Sequence, residues 1–156
     1  MNQDAKGTDL RFCLRIPSIL NHVDIVYEFL IHLAKEFNVQ PERIDWVSMA
    51  FREAMNNAIL HGNKKDPDKW VEVEMEKTGN KISLKVFDEG KGFDEEILRD
   101  PRTEENLFRP NGRGIFLIRQ FVDDVRFIRN SEGRFGIELC VNTEVNANKE
   151  AEPCQK

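Results

Sequence analysis

The chain has 156 residues, 40% of them hydrophobic and 33% charged, enough for one core beneath an ordinary polar surface. Its 23 Lys and Arg against 28 Asp and Glu leave a formal net charge of -5, so no basic face for direct nucleic-acid binding is expected. It shows neither a charged-then-apolar leader nor an apolar run of membrane-spanning length, and a cytoplasmic protein without membrane contact is expected.

Residues 1–8 are polar and are expected to form a disordered N-terminus ahead of a single domain over 9–142. Leu10, Phe12, Leu14 and Ile16 alternate with Arg11, Cys13 and Arg15, the pattern of a half-buried strand. Pro17-Ser18 then opens a helix whose apolar face is Leu20, Val23, Tyr27, Leu30, Ala34 and Phe37. A second helix starts near Pro41, a residue suited to a first turn because its missing N–H would be unpaired there anyway. Ile44, Val47, Phe51, Met55 and Ala58 recur at helical spacing as its core stripe, and Gly62 reads as a left-handed cap. The loop from Asn63 to Asp68 is polar.

Two alternating segments follow, Val71, Val73 and Met75, then Ile82, Leu84 and Val86, joined by Thr78-Gly79-Asn80 as a hairpin. Glu72, Glu74 and Glu76 lie on its outer face, where Lys81 and Lys85 are expected to pair with them across strands. Asp94 to Arg99 reads as a short helix, and Asp100 to Asn111 as a long aperiodic loop, a candidate lid. Ile115 to Val122 is helical, Val125 to Asn130 and Arg134 to Val141 form a second hairpin, and 143–156 is a polar tail. The order β-α-α-β-β-lid-α-β-β predicts an α+β two-layer sandwich, a mostly antiparallel sheet with helices on one face. Cys13, Cys140 and Cys154 have neither disulfide nor zinc spacing, and the first two read as small buried hydrophobes.

Three short motifs stand out. Glu53 and Asn57 are one helical turn apart, beside the small residues Ala50 and Ala54 on the face opposite the core stripe. Small neighbours there leave room for something to approach, although an exposed Glu–Asn pair is the plain alternative. Asp88-Glu89-Gly90-Lys91-Gly92-Phe93 follows a strand, and Gly112-Arg113-Gly114 precedes the third helix. In this order and spacing the three segments resemble the nucleotide-binding boxes of the GHKL ATPases, whose architecture is called the Bergerat fold.

The chemistry of the residues suits such a site. A carboxylate at Asp88 accepts hydrogen bonds and suits the exocyclic amine of adenine, while Gly90 and Gly92 let backbone approach a planar base. An ordinary exposed turn is the alternative reading. Free N–H groups at Gly112, Arg113 and Gly114 favour phosphate at a helix start. Arg109 and Arg113 are nearby cations, either for terminal phosphates or as solvated lid residues. Asn57 offers a neutral oxygen for Mg2+ held mainly by the phosphates of ATP and by water. Glu53 can take a proton from an attacking hydroxyl. The resemblance implies these same roles for Asp88, Asn57 and Glu53. His61 reads as packing and capping.

Within that superfamily, Leu10 to Val141 is most similar to the anti-sigma factor serine/threonine kinases of bacterial partner switching, above all over Gly112 to Val125. This resemblance implies transfer of phosphate from ATP to a small anti-sigma factor antagonist protein, a sigma factor as second partner, and a homodimer. A detached sensor histidine kinase domain is the first rival; such domains usually carry asparagine where this chain has Glu53. A nucleotide-binding regulatory module without kinase activity is the second.

Overall fold

The computed structural model describes residues 10–92 and 110–143, with the first turn of the last helix described by its backbone. The expected short helix at 94–99, the lid as far as 109, Arg109 itself, Cys154 and both terminal segments lie outside the described residues.

Period-two alternation produces five strands, β1 (Leu10–Pro17), β2 (Trp70–Thr78), β3 (Lys81–Phe87), β4 (Asp124–Arg129) and β5 (Phe135–Asn142). They form one sheet in the order β1-β2-β3-β5-β4, and every neighbouring pair is antiparallel. Register follows from the apolar alternation: Leu14 lies opposite Val73, Met75 opposite Leu84, and Leu84 opposite Leu139. A slip by one residue would turn each set out to solvent.

Helices α1 (Val23–Glu36), α2 (Pro41–Asn57) and α3 (Pro110–Phe121) cover one face of this sheet. The two-layer α+β sandwich is therefore present. Its core joins Phe51, Met55 and Ile59 to Val71, Val73, Met75, Leu84, Val86, Leu139 and Val141 of the strands and Ile118 of α3. Arg43 at the start of α2 holds Asp123 at 2.7 Å, and Asp123 in turn accepts from the Asn142 N–H at 2.7 Å. Arg52 reaches back to Asp24 on α1 and lies over the Tyr27 ring, so all three helices are registered through α2.

The other sheet face carries charge. Lys85 contacts Glu76 at 2.8 Å and Glu74 at 3.6 Å, and Arg11 contacts Glu74 at 3.0 Å. Lys81 does not join them; it pairs opposite Thr78 at the hairpin end. Such half-solvated pairs contribute little each, so stability rests on the apolar layer.

Several expectations are corrected. The first helix begins as a 3-10 turn at Leu20–His22, which leaves Leu20 40% exposed, while Val26 and Leu33 take its place in the core. Cys13 is exposed and Cys140 only half-buried, because both fall on the charged side of the sheet. The face of α2 bearing Ala50 and Ala54 is buried rather than open, because α3 packs antiparallel along it, from Arg43 beside Asp123 to Glu53 beside Gly114. Trp46 and Phe121 stack between those two ends at 4.8 Å.

Phe51 is wholly buried between helix and sheet. Phe51→Ala is expected to lower unfolding free energy by about 3–5 kcal/mol, the usual cost of emptying an aromatic core site. Ile25→Ala, at a position 67% exposed, is expected to stay within about 0.5 kcal/mol of the parent. Urea unfolding midpoints with equal slopes check both.

Candidate nucleotide site

The end of α2 builds one wall of the site. After Asn57 the helix widens into a π-helical turn, Ala58–Gly62, closed by the bond from the Asn63 N–H to the Ala58 carbonyl at 2.8 Å. Gly62 is not a left-handed cap; the positive backbone angles fall at Lys64 and Lys65 instead. What Gly62 provides is space. A Cβ there would lie 2.3 Å from Cγ of Asp88, so the bare Cα lets the carboxylate settle against the helix end.

Asp88 follows the last residue of β3 and is 7% exposed. Its own N–H bonds to the Phe135 carbonyl at 3.1 Å, and its Oδ1 accepts the Gly90 N–H at 2.7 Å. Burial pushes its pKa up from 3.8 to about 6, against the Gly90 N–H and the charge of Lys69, which both act to lower it. Its Oδ2 accepts no hydrogen bond among the described residues.

Gly90 packs so closely that a Cβ would lie 2.5 Å from the Gly62 carbonyl oxygen. Gly92 has φ +80° and faces the Phe135 ring, where a Cβ would lie 2.8 Å from Cγ. Both glycines are thus required by geometry. Two clefts adjoin here and share Asp88. One, with about 310 Å³ of unfilled space, is walled by Ala54, Ala58, Val86, Ile115, Phe127, Phe135, Gly136 and Ile137, with Asn57 as its other polar residue. The outer one, about 930 Å³, is lined by His61, Gly62, Lys64, Lys69, Glu89, Gly90, Lys91 and Gly92. An apolar inner cleft with few polar groups, beside a polar and charged outer one, has the character of a small-molecule site. His61 is exposed in the outer cleft and does not pack, contrary to the sequence expectation.

The glycine motif also sits differently from expectation. Gly112, Arg113 and Gly114 lie inside the first turn of α3, because Pro110 already occupies the first helical position. The amides of 111 and 112 are still among those a helix start leaves unpaired, so the phosphate argument survives the shift there, whereas those of 113 and 114 belong to the helix ladder. The Arg113 side chain lies outside what is described, as does Arg109. Gly114 meets α2: a Cβ there would lie 2.2 Å from Glu53 Oε1 and 3.2 Å from Asn57 Nδ2. The structure therefore gathers Glu53, Asn57 and Gly114 at one end of the apolar cleft, and Asp88, Gly90 and Gly92 at the other.

Asn57 is 9% exposed, and its Nδ2 has no hydrogen-bond partner among the described residues. An orphaned buried amide on a cleft wall is costly unless a ligand or water completes it. A flip of the same amide presents its oxygen instead. No group of three or more His, Cys, Asp or Glu able to hold a metal occurs among the described residues. A divalent cation here would thus need phosphate oxygens, with Asn57 as a neutral protein donor, and the site fits a Mg-nucleotide on those terms.

Sequence reasoning missed Asn63. It is 0% exposed and ties the end of the π turn to three other segments, at Ser18, Trp70 and Glu89, yet it stands in a polar run that gives no hint of burial.

Comparison with known proteins decides the family. A family model described as the histidine kinase-like ATPase domain matches residues 16–142. The chain belongs to this family. Its ligand is accordingly ATP, and every site residue placed above falls inside the matched range. Among relatives, the serine-protein kinase RsbW of Listeria monocytogenes serovar 1/2a is 27% identical over 122 residues, covering 74% of this chain and 78% of that protein. The RsbW proteins of Staphylococcus aureus strain MSSA476 and Bacillus cereus strain AH820 are 24% and 25% identical, across 76% and 77% of this chain and 79% and 78% of their own lengths.

The raised pKa of Asp88 fixes the sign of a stability effect. The folded state holds this proton more tightly than the unfolded chain, so the group's contribution is fully present below pH 3.8 and is lost as pH rises through about 6. The loss is on the order of 3 kcal/mol. Asp88→Asn is therefore expected to be more stable than the parent at pH 7–8, with the difference shrinking towards pH 4. Thermal or urea unfolding across that range without nucleotide checks it.

Proposed function

We propose that this protein is an ATP-dependent serine/threonine kinase that phosphorylates a small anti-sigma factor antagonist protein and also holds a sigma factor. The observation that carries the reading is the half-buried Glu53 carboxylate, one turn before Asn57 and lodged against the Cα of Gly114 at the start of α3. A carboxylate beside the expected phosphate end is what transfer to a hydroxyl requires. Relatives named as serine-protein kinases point the same way.

In this reading Asp88 Oδ2 accepts the exocyclic amine of adenine, and the apolar cleft stacks against the base. The unpaired amides at the start of α3 receive phosphate oxygens, joined by the cations Arg109 and Arg113. Mg2+, when bound, neutralises charge on the triphosphate. Asn57 supplies it one oxygen, orients it relative to α2, and keeps the phosphate end one turn from Glu53. Glu53 takes the proton of the acceptor serine as that oxygen bonds to the γ-phosphorus and the bond to ADP breaks. Most of the rate comes from positioning, with the base adding about 10²–10⁴-fold.

In this reading the acceptor serine is on another protein, and the described residues beyond α3 form a hairpin packed into the sheet. A homodimer is part of the proposal, as is a cytoplasmic setting; among the described residues no helix is long and apolar enough to cross a membrane.

Asp88→Asn is expected to weaken ATP and ADP equally, by about 1.5–3 kcal/mol, because both carry the same base. Isothermal titration checks it, and unchanged affinity for both would remove Asp88 from base recognition. Glu53→Gln is expected to bind Mg-ATP normally and to lose about 10²–10⁴-fold in transfer. Incubation with labelled ATP, Mg2+ and a co-encoded small antagonist, followed by mass spectrometry and an acid-stability assay, tests the whole reading. Acid-stable phosphoserine supports it, acid-labile phosphohistidine points to the histidine kinase reading, and ATP binding without transfer points to the regulatory module.

A further inference from the structure

Three consecutive amides set the course of the backbone that carries Asp88. The Asp88 N–H bonds to the Phe135 carbonyl at 3.1 Å, and the Gly90 N–H bonds back to Asp88 Oδ1 at 2.7 Å. The middle one, the Glu89 N–H, bonds to the side-chain oxygen of Asn63 at 2.7 Å. The same Asn63 amide donates to the Trp70 carbonyl at 2.9 Å and to Ser18 Oγ at 2.5 Å. With its oxygen and both amide hydrogens engaged, this buried side chain is fully satisfied. Its orientation is fixed by chemistry, since a flip would set oxygen against the Trp70 carbonyl and NH2 against the Glu89 N–H. Its own backbone N–H closes the π-helical turn.

We propose that Asn63 is a positioning residue for base recognition: through the Glu89 amide it aims the free oxygen of Asp88 into the cleft. The inference rests on the proposed role of Asp88 as the base acceptor. Asn63 touches no nucleotide itself. It joins the wall that ends α2 to the loop that opposes it, so the distance from Gly62 to Asp88 is set at Asn63. With Asp88 Oδ1 engaged by Gly90, only Oδ2 is left for a ligand, and its direction follows the Glu89 peptide that Asn63 holds. Removing the amide leaves the Glu89 N–H and the Trp70 carbonyl unpaired in a site that excludes side chains, and the loop must then move to satisfy them.

A purely structural role is distinguished by a double-mutant cycle on the full chain, with ADP as probe. Asn63→Ala is expected to weaken ADP about 10-fold or more, the range expected for one buried hydrogen bond. In the Asp88→Asn background the same change is expected to cost less than about 3-fold, although the fall in Tm should be alike in both backgrounds. At saturating ATP the rate of phosphoryl transfer should stay within about 2-fold of the parent, with the loss confined to KM. Ser18→Ala removes another bond of the same amide but keeps the one to Glu89, and it is expected to lower Tm with ADP affinity kept. Should Asn63→Ala fail to fold, Asn63→Asp keeps the acceptor for Glu89 and is expected to bind ADP more tightly than Asn63→Ser, which cannot reach it.

Equal losses in the two backgrounds, or an ADP affinity that falls as far in Ser18→Ala as in Asn63→Ala, would overturn the proposal and leave Asn63 a structural residue. If Asp88→Asn weakens ADP and no Asn63 variant does, the proposal fails alone. If Asp88→Asn leaves ADP affinity unchanged, the base-acceptor reading fails and takes this inference with it.

Discussion

A carboxylate occupies the space where the side chain of Gly62 would be, and the site is organised by that close approach. Asp88 loses most of its hydration there and recovers one hydrogen bond, from Gly90. Burying an ionised carboxylate with so little compensation disfavours its charged form, which the upward shift to about 6 records. The free acceptor that results is strong because it is desolvated and underused. Stability is given up at the one point where a ligand's donor can return it.

The π-helical turn explains how one helix serves both ends of the cleft. Five residues separate Asn57 from Gly62. In an uninterrupted α-helix at 100° per residue they would point roughly 140° apart. Winding with i→i+5 bonds, at about 4.4 residues per turn, reduces this to roughly 50°. Gly62 therefore lines the outer cleft that adjoins the one walled by Asn57, and Asn63 swings inward to the Glu89 amide. Glu53 and Asn57 sit before the widened turn and face α3; Gly62 and Asn63 sit after it and face β3. The spacing between the Glu53–Asn57 end and the Gly62–Asn63 end is thus written into a single element.

The parts of this arrangement governed by local pattern were legible in the sequence. Alternation over Val71–Met75 and Ile82–Val86 gave the central strands, and the stripe from Ile44 to Ala58 gave the buried face of α2. Glu53, Asn57, Asp88, Gly90, Gly92 and Gly114 stood out because small or acidic residues interrupt those patterns. What escaped depends on contacts between segments far apart in the chain. Ala50 and Ala54 looked open because nothing near them in sequence shows that α3 lies along them. Gly62 was read for its conformational freedom, when its neighbour Asp88, 26 residues on, requires its lack of a side chain. Asn63 is polar, in a polar loop, and wholly buried; composition points the wrong way for such a residue, and only its three partners account for it.

Gly114 and Gly62 play matching parts on either side of the π-helical turn. Each brings a backbone into contact with a carboxylate, Glu53 at one end and Asp88 at the other. The consequences differ because the surroundings do. Asp88 is enclosed by β3, the π turn and the Phe135 strand, so its charged form is disfavoured and its second oxygen stays unshared among the described residues. Glu53 lies half-buried at the positive end of α3, where the helix dipole favours a negative group. The same packing device therefore serves two carboxylates in different settings, and the difference comes from burial and from which helix end stands opposite.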